Sequence, residues 1–355
     1  MNMSNVIEKI KNCGFEDVKL LSEGGHGQCY FVKRNGVSYI LKSFFCNSKV
    51  EAEHEEKIIK ELHGETKGNP YFFKAEVISD SDGTFFLLSH TNAGKTLEEL
   101  KEKDTDTDVL SLSDATDIMI KACNSVQELH SKDYIHFDIK PSNLYLVDKI
   151  SHVLAIDFGS AVKKRQKSYE EIIESNGYWS TRGFLSKKLS DFCECLSTYR
   201  NIEVSQEEKD KLVADEASLS IKEDIFALIC TYWYMITGKE HFGIWDKDMR
   251  FLPTDKKIRV VLEQNEIPTY LTSPLVELFF TLDEPSKNAE TEIPFDSIDE
   301  LVKKLETIKE IMEDRGLHPE VLLRNSMEYF SKNFSDIVID EELLCDIEEI
   351  EDEEQ

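Results

Sequence analysis

Three oxygen-bearing side chains near the middle of the chain have the types and spacing of a phosphoryl-transfer site. Asp138 is followed by Asn143 five residues later and by Asp157 nineteen residues later. A carboxylate such as Asp138 can accept the proton of an attacking hydroxyl, whereas Asn143 and Asp157 can hold the divalent ions that bridge nucleotide phosphates. Because such transfer depends on positioning and charge neutralisation more than on covalent chemistry, three side chains on fixed turns are enough.

Apolar runs beside these side chains predict the elements that hold them. Residues 144–147 read LYLV and residues 153–156 read VLAI, a pattern typical of two short buried strands joined by a turn. Upstream, residues 112–130 have apolar side chains at helical spacing, and Ser113 is the predicted N-cap. Side chains placed between such buried elements are held rigidly.

The sequence around these residues resembles that of a known protein family. Residues 136–143 read HFDIKPSN and residues 157–159 read DFG, and they resemble the catalytic loop and the metal-binding loop of eukaryotic-type protein kinases, in order and at family-like spacing. Lys140 resembles the serine/threonine type, where this lysine contacts the γ-phosphate and the substrate hydroxyl. The resemblance implies ATP and Mg²⁺ (or Mn²⁺), Asp138 and Lys140 as catalytic residues, and Asn143 and Asp157 as metal ligands.

A glycine-rich turn near the N-terminus resembles the kinase loop that covers the phosphates of ATP. Two strand-like runs flank residues 23–27, EGGHG, and glycines there let backbone N–H groups approach phosphates. In the best register Ser22, Gly24 and Gly27 take the three glycine positions. Cys29 falls where a Val usually covers the adenine.

Lys42 ends the run YILK and resembles the strand lysine that neutralises the α- and β-phosphates. Residues 50–62 are rich in Glu, Lys and Leu without Gly or Pro, which predicts a helix. In the family one Glu of this helix pairs with the lysine. The apolar pattern makes Glu55 the first candidate and Glu56 the second, and the other acids are expected to form a solvated face.

The strand before the hinge is predicted at residues 85–89, FFLLS. The resemblance implies that residues 90–93 form the hinge, where His90 and Asn92 contribute to adenine binding. Ser89 falls at the position that controls the rear of the nucleotide pocket. A small residue there predicts unusual room beside the nucleotide.

Two departures from the family pattern concern regulation and substrate docking. Phe137 stands where the family often has an Arg that pairs with a phosphorylated activation loop; here that loop is residues 160–185. Phosphorylation of the loop is therefore not expected to be the switch. The A-P-E motif appears as residues 183–185, GFL, so the Glu that anchors the docking segment is missing.

The sequence patterns of the remaining segments indicate function less specifically. The basic run at 163–167, KKRQK, is either a solvated stretch or a dock for an acidic substrate or a regulatory anion. Residues 186–220 are polar and resemble an insertion. The apolar stretch from Asp224 to Ile236 resembles the central buried helix of the large lobe, with Asp224 bonding back to the catalytic loop. Residues 337–342, IVIDEE, resemble a SUMO-interaction motif within an acidic tail.

The composition limits the function classes. The chain has 355 residues and a formal net charge of −28, which excludes general affinity for nucleic acid and argues against charge-driven binding to anionic lipid. No apolar run approaches the ~20 residues of a membrane helix, and no classical secretion signal is visible at the N-terminus. The eight cysteines lack zinc-ligand spacing, so reduced thiols in a cytoplasmic protein are expected.

The resemblance implies an α+β, bilobal fold. A small antiparallel-sheet lobe with one helix is expected over residues 1–91 and a larger helical lobe over residues 92–312. The extension at 313–355 is expected to end in an acidic, disordered tail from residue 336. Sequence drift around an intact core is similar to kinases that bacteria or large viruses inject into, or express in, host cells.

The function expected from these features is transfer of the ATP γ-phosphate to serine or threonine hydroxyls of a protein substrate. One alternative is a pseudokinase scaffold, which the missing Arg and A-P-E favour and the retained Lys42, Asp138, Asn143 and Asp157 oppose. The other is a small-molecule kinase of the aminoglycoside or choline type, which shares the Asp, Asn and Asp pattern. Lys140 and the complete Asp-Phe-Gly motif are more similar to protein kinases.

Overall fold

The structure, a computed structural model, is described over the following residues: 3–24, 27–44, 49–63, 75–81, 85–90, 94–102, 111–147, 152–175, 177–178, 180–238, 254–265, 267–282 and 293–314. The chain separates into two compact units. Of the described residues, the first contains those up to Gly94 together with Ile156–Gly159, and the second contains those of 95–155 and 160–314. Asp157 therefore belongs to the first unit, whereas the catalytic-loop residues belong to the second.

The first unit is built on a five-stranded antiparallel sheet with the strand order β1-β2-β3-β5-β4. Its strands are β1 (Glu16–Gly24), β2 (Gly27–Arg34), β3 (Val37–Phe44), β4 (Ala75–Ser79) and β5 (Phe85–His90). Asn35 and Gly36 join β2 to β3, and both have positive φ (55° and 82°). This is the conformation that a two-residue hairpin turn requires, because it matches the twist of the flanking strands.

Two helices accompany this sheet, α1 (Met3–Asn12) and α2 (Lys49–His63). The α2 helix confirms the helix predicted over residues 50–62. The α1 helix was not among the predicted elements. Its Val6 and Ile10 are buried in one cluster with Tyr30 and Leu41 of the sheet. Within its described residues, the small sheet-rich unit therefore has two helices and not the single one expected.

The second unit is mainly helical. Its helices are α3 (Leu97–Glu102), α4 (Leu112–Ser131), α5 (Tyr169–Ile173), α6 (Lys187–Tyr199), α7 (Gln206–Ser218), α8 (Lys222–Thr237), α9 (Thr254–Gln264), α10 (Thr269–Phe279) and α11 (Ile298–Asp314). Its short strands are β6 (Gly94–Thr96), β7 (Tyr134–Ile135), β8 (Leu144–Val147), β9 (His152–Ala155) and β10 (Val162–Lys163). They form one sheet of order β6-β8-β9 and one pair of β7 with β10.

The strand pair that follows the catalytic loop has the predicted form. β8 and β9 are antiparallel and buried, with Leu144 opposite Ala155. The helix before the loop, α4, also confirms its prediction, but its N-cap is Ser111 and not Ser113. Ser111 Oγ accepts the backbone N–H of Asp114 at 3.0 Å. Ser113 lies inside the first turn, where its side chain cannot cap the helix.

The polar stretch at 186–220 forms two packed helices. Leu189, Phe192 and Leu196 of α6 and Leu212 of α7 are buried in one apolar cluster. Both helices are capped at their N-termini by serine side chains. This segment is therefore part of the folded second unit.

The central helix α8 is the most buried of the second unit's helices in the described part of the chain, which its apolar sequence predicted. It ends at Gly238 with φ of 73°, the left-handed conformation in which glycine commonly terminates a helix. A unit built on an antiparallel sheet and a larger helical unit confirm the predicted α+β class. Among the described helices, none combines the length and the apolar character needed to span a membrane.

Candidate active site

The first unit brings Lys42, Glu55 and Asp157 into direct contact. Lys42 lies on β3 and its side chain is buried. Its Nζ donates to Glu55 Oε1 and to Asp157 Oδ1, the second at 2.6 Å. Of the two predicted partners, the one that contacts the lysine is Glu55. Glu56 instead accepts the backbone N–H of Val77 at 2.9 Å.

Two carboxylates share one ammonium group in this cluster, and burial makes their charges costly. Burial alone would lower the pKa of Lys42, but the adjacent Asp157 and Glu55 outweigh it and raise that pKa above its usual value. Burial raises the pKa of Glu55 to about 7, although Lys42 acts in the opposite direction. The lysine therefore remains a cation, and Glu55 is the group that takes up a proton near neutral pH.

The backbone at Asp157 has little freedom. Asp157 adopts φ of 62°, a left-handed conformation that non-glycine residues adopt uncommonly. A Cβ atom at Gly159 would lie 2.8 Å from Glu55 Oε1 and 3.3 Å from Asp157 Oδ1. Glycine is needed at position 159 because a side chain there would meet both carboxylates of the cluster.

The second unit holds a separate group of side chains around Asp138. Lys140 Nζ lies 2.9 Å from Asp138 Oδ2. Asn143 Nδ2 donates to Asp138 Oδ2 at 3.0 Å and to its backbone oxygen at 2.8 Å. Asp138 and Asn143 are both buried, and the carboxylate of Asp138 is held by two residues that follow it in the catalytic loop.

Thr181, which was not among the predicted site residues, completes this group. Its backbone N–H and its hydroxyl both donate to Asp138 Oδ1, at 2.8 Å and 2.7 Å. The same hydroxyl accepts a hydrogen bond from Lys140 Nζ at 2.6 Å. A hydroxyl oxygen is thus held between the carboxylate of Asp138 and the ammonium group of Lys140.

Asp224 anchors the catalytic loop as the sequence predicted. Its carboxylate accepts the backbone N–H of His136 at 2.8 Å and that of Phe137 at 2.9 Å. His130 Nε2 lies 2.8 Å from the same carboxylate. Burial by itself would raise the pKa of Asp224, but the contacts with His130 and His136 lower it below its usual value. The carboxylate therefore stays charged and keeps the loop in place.

The comparisons with known proteins agree with this geometry. A family model described as the protein kinase domain matches residues 15–196, slightly more than half of the chain. The chain belongs to the protein kinase family.

Curated relatives of this kinase are distant. A probable protein kinase of Dictyostelium discoideum is 23% identical over 273 residues, which cover 72% of this chain and 33% of the relative. The interferon-induced, double-stranded RNA-activated protein kinase of Rattus norvegicus is 26% identical over 164 residues (41% and 31%). A serine/threonine-protein kinase of Arabidopsis thaliana is 27% identical over 179 residues (49% and 36%). The segments aligned with this chain thus span about a third of the length of each of these relatives.

The predicted glycine-rich loop lies at the β1–β2 connection. Ser22 pairs with Cys29 and Gly24 with Gly27 across these strands, and Cys29 pairs with Lys42 on β3. A Cβ atom at Gly27 would lie 2.0 Å from the backbone oxygen of Ser43. Gly27 is therefore required for the close approach of β2 to β3. Residues 25 and 26 of the loop lie outside the described residues.

The hinge of the kinase is described only at its start. Ser89 is half-buried on β5, where it pairs with Ile40 of β3 and Ala75 of β4. His90 is the last residue of β5 and pairs with Tyr39. Asn92 lies outside the described residues, as do residues 315–355 with the predicted acidic tail and the SUMO-type motif. The roles assigned to these positions remain predictions.

The predicted docking segment is anchored at Ser186, next to the position of the missing A-P-E glutamate. Ser186 caps α6 by accepting the N–H of Leu189 at 3.1 Å, and its hydroxyl also donates to Glu223 Oε2. Burial raises the pKa of Glu223, which the bond from Ser186 opposes. Residues 183–185 thus run directly into a helix whose first turn is fixed to α8.

Asn143 in the second unit and Asp157 in the first each present an oxygen atom of the kind that Mg²⁺ prefers. Both hydrogen bonds of the Asn143 side chain use Nδ2, which assigns its carbonyl oxygen Oδ1 as the atom that would bind the metal. Asp157 adds a carboxylate. Mg²⁺ is usually bound by one or two carboxylates together with water and substrate phosphates, and not by a cage of protein ligands alone.

Proposed function

We propose that this kinase transfers the γ-phosphate of ATP to serine or threonine hydroxyls of a protein substrate. The observation that carries the proposal is the hydroxyl of Thr181 between Asp138 Oδ1 and Lys140 Nζ, at 2.7 Å and 2.6 Å. It shows that this pair accommodates an aliphatic hydroxyl at hydrogen-bonding distance. A substrate hydroxyl requires the same two contacts, one to lose its proton and one to approach the phosphate.

Asp138 is the proposed base. Its carboxylate already receives donors from Thr181 and Asn143, so its orientation is fixed before a substrate binds. A positioned base of this kind contributes about 10²- to 10⁴-fold to the rate. Lys140, at 2.9 Å from Asp138 Oδ2, supplies a positive charge that steadies the γ-phosphate as it leaves ATP.

The first unit is proposed to bind the nucleotide. Lys42 is a buried cation on a rigid strand and is oriented by Glu55; it would grip the α- and β-phosphates. The backbone from Gly24 to Gly27 would cover them, and residues 89–92 would contact the adenine. Asp157 and Asn143 would hold Mg²⁺, which neutralises the charge that develops on the phosphates.

Two observations weigh against the alternative functions. A scaffold has no chemical need for the hydrogen bonds that orient Asp138, Lys140 and Asn143, yet all of them are formed. A kinase for small molecules has no need of a docking segment, yet Thr181 and Ser186 fix residues 180–186 to the catalytic loop and to α8. A segment in this place is suited to an extended peptide substrate.

The acceptor class tests this proposal directly. The purified full chain is given radiolabelled ATP with Mg²⁺, or separately with Mn²⁺, and either generic protein substrates or aminoglycosides and choline. The expected result is label on protein, recovered as phosphoserine or phosphothreonine after hydrolysis. Label only on a small molecule would establish the aminoglycoside or choline type. Nucleotide binding without any transfer would support the scaffold.

A further inference from the structure

The basic run at residues 163–167 makes contacts inside the second unit and is not simply solvated. Lys164 Nζ donates to the backbone oxygens of Ala217, at 3.0 Å, and Leu219. Lys167 is buried, and its Nζ lies 2.7 Å from Glu216 Oε1. The acceptors all lie at the C-terminal end of α7, where backbone carbonyls lack partners within the helix. The run thus attaches the start of the activation loop to α7.

Glu216 is the centre of a buried polar cluster. In α7, which is otherwise largely polar, only Leu212 and Glu216 are buried. Glu216 Oε1 accepts hydrogen bonds from Lys167 Nζ at 2.7 Å and from the hydroxyl of Tyr178 at 2.6 Å. Burial and the bond to Glu216 raise the pKa of Tyr178 above its usual value, so the hydroxyl keeps its proton and acts as a donor. Lys167 and Tyr178 both belong to the activation loop.

Tyr178 connects this cluster to the catalytic loop. Its ring centroid lies 5.5 Å from that of Phe137 and 5.1 Å from that of Phe192 on α6. Phe137 and Tyr178 have φ of 63° and 67°, a conformation that is unfavourable for bulky residues. Such strain persists only where the surrounding contacts over-determine the backbone. The two aromatic residues are thus held in place by their packing and by Glu216.

A second set of bonds attaches the middle of the activation loop to α6. Arg200 donates to the backbone oxygens of Ile173 at 3.1 Å and Ser175 at 2.6 Å. The thiol of Cys193 contacts the backbone oxygen of Tyr178 at 3.0 Å. The activation loop is therefore attached to both helices of the 186–220 segment, through residues that precede the strained Tyr178 and through Tyr178 itself.

We propose that Glu216 is a built-in counter-charge for the activation loop, which positions Thr181 and the catalytic loop without phosphorylation of the activation loop. The inference rests on the proposed kinase function and concerns how its site is kept in order. In the family pattern a phosphate added to the loop pairs with the Arg that precedes the catalytic Asp. Here that position is Phe137, the loop supplies the cation Lys167, and α7 supplies the permanent carboxylate.

The short path from Glu216 to the catalytic residues supports this role. Tyr178 precedes Thr181 by three residues, and Thr181 contacts Asp138 and Lys140. Phe137, against which Tyr178 packs, is the residue directly before Asp138. Glu216, Lys167 and Tyr178 are therefore positioning residues, which act on the reaction through Thr181 and Asp138.

The test uses the full chain after treatment with a protein phosphatase, with mass spectrometry to show that the activation loop carries no phosphate. Initial rates of transfer to a generic protein substrate and amide hydrogen exchange of residues 164–181 are then measured. The variants are Glu216→Gln, the milder Tyr178→Phe, the double variant Lys167→Met with Glu216→Gln, and Glu207→Gln as matched control. Glu207 lies on the same helix and is exposed.

The dephosphorylated wild type is expected to keep its rate within about twofold. Glu216→Gln should lower kcat about tenfold or more, leave KM for ATP within about twofold and accelerate exchange in residues 164–181, because it leaves a buried cation without its partner. Tyr178→Phe keeps the ring stack and should lower kcat a few-fold. The double variant should recover most of the activity because it buries no unpaired charge, and Glu207→Gln should match the wild type.

Loss of most wild-type activity on dephosphorylation would overturn the proposal. Wild-type kcat and wild-type exchange in Glu216→Gln would overturn it as well. If the wild type transfers no phosphate to any substrate, the proposed function fails, and hydrogen exchange still decides the positioning role. Faster exchange of residues 164–181 in Glu216→Gln alone would then support that role, and equal exchange in all variants would refute it.

Discussion

The hydroxyl of Thr181 donates to Asp138 Oδ1 at 2.7 Å, although 43 residues separate the two in the sequence. The contact joins the activation loop to the proposed base, and Lys140 bonds to the same hydroxyl. The position of the activation loop and the orientation of Asp138 therefore depend on each other. A loop that leaves this position would remove two donors from Asp138 Oδ1.

Thr181→Ala is expected to lower kcat by about ten- to hundredfold, because small misplacements of a catalytic group have effects of this size. Thr181→Ser keeps the hydroxyl and should stay within a few-fold of the wild type. Steady-state phosphate transfer to a protein substrate measures both. Thr198→Ala on α6 is the matched control, since Thr198 is exposed and bonds only within its own helix turn. Equal activity of Thr181→Ala and the wild type would show that the contact does not position the base.

Glu55 should make the stability of the kinase depend on pH. Its pKa is about 7 in the folded chain, against a reference value of 4.5. A carboxyl whose pKa is raised by folding stabilises the folded state fully below the unfolded pKa and loses this contribution as the pH rises through the folded pKa. The free energy of unfolding should therefore fall by roughly 3 kcal/mol from this group between about pH 4.5 and pH 8.

Urea unfolding at several pH values measures this dependence in the wild type, Glu55→Gln and the matched variant Glu56→Gln. Glu55→Gln should remove this part of the slope, whereas Glu56→Gln should keep it. Glu56 is a suitable control because its pKa is lowered: its hydrogen bonds with Lys60 and Val77 outweigh the effect of burial. An unchanged slope in Glu55→Gln would mean that another group titrates in this range.

Asp224 should contribute to stability above acidic pH. Its pKa is lowered from 3.8, so its contribution is present above about pH 3.8 and is lost as the pH falls through the folded value. Asp224→Ala leaves the N–H groups of His136 and Phe137 without their buried acceptor and should cost about 3 kcal/mol or more at pH 7. Urea midpoints at pH 7 measure the loss. Asp215→Ala on α7, whose side chain is partly exposed and pairs with Lys211, should change the midpoint little, and an equal effect of both variants would contradict the anchoring role.

Phosphate transfer should require a divalent cation. Chelation with EDTA is expected to abolish transfer and added Mg²⁺ or Mn²⁺ to restore it. Asp157→Asn should raise the metal concentration needed for half-maximal rate by about tenfold or more, because a neutral amide is a weaker ligand than a carboxylate. Metal titrations of the initial rate give this value. An identical metal requirement in Asp157→Asn and the wild type would remove Asp157 from the proposed metal site.

The sequence was sufficient to predict features that local patterns encode. The strand pair after the catalytic loop, the helix α2 and the central helix α8 all follow from apolar periodicity and from capping signals. The contact of Asp224 with the catalytic loop could be predicted only from the family resemblance. Periodicity left the partner of Lys42 uncertain by one position, because Glu55 and Glu56 lie on adjacent positions of one helix and only packing separates them.

Other features depend on tertiary contacts that single-sequence patterns do not encode. Thr181 looks like an ordinary polar residue until the activation loop folds onto Asp138. Glu216 lies in a polar helix and reads as solvated, yet Lys167 and Tyr178 bury it. The helix α6 could have been predicted from the sequence, because Leu189, Phe192 and Leu196 have helical spacing. The N-terminal helix α1 could have been predicted in the same way from the spacing of Val6 and Ile10.

The most direct test of the kinase assignment compares Asp138→Asn with the exposed Asp191→Asn on α6. Radiolabelled phosphate transfer and the Kd for ATP are measured on the same preparations of the full chain. The proposed role of Asp138 as base predicts that Asp138→Asn lowers kcat by about a hundredfold or more and leaves the Kd within about twofold, because the base acts on the substrate hydroxyl. Asp191→Asn should match the wild type in both. Transfer by Asp138→Asn at the wild-type rate would contradict the account.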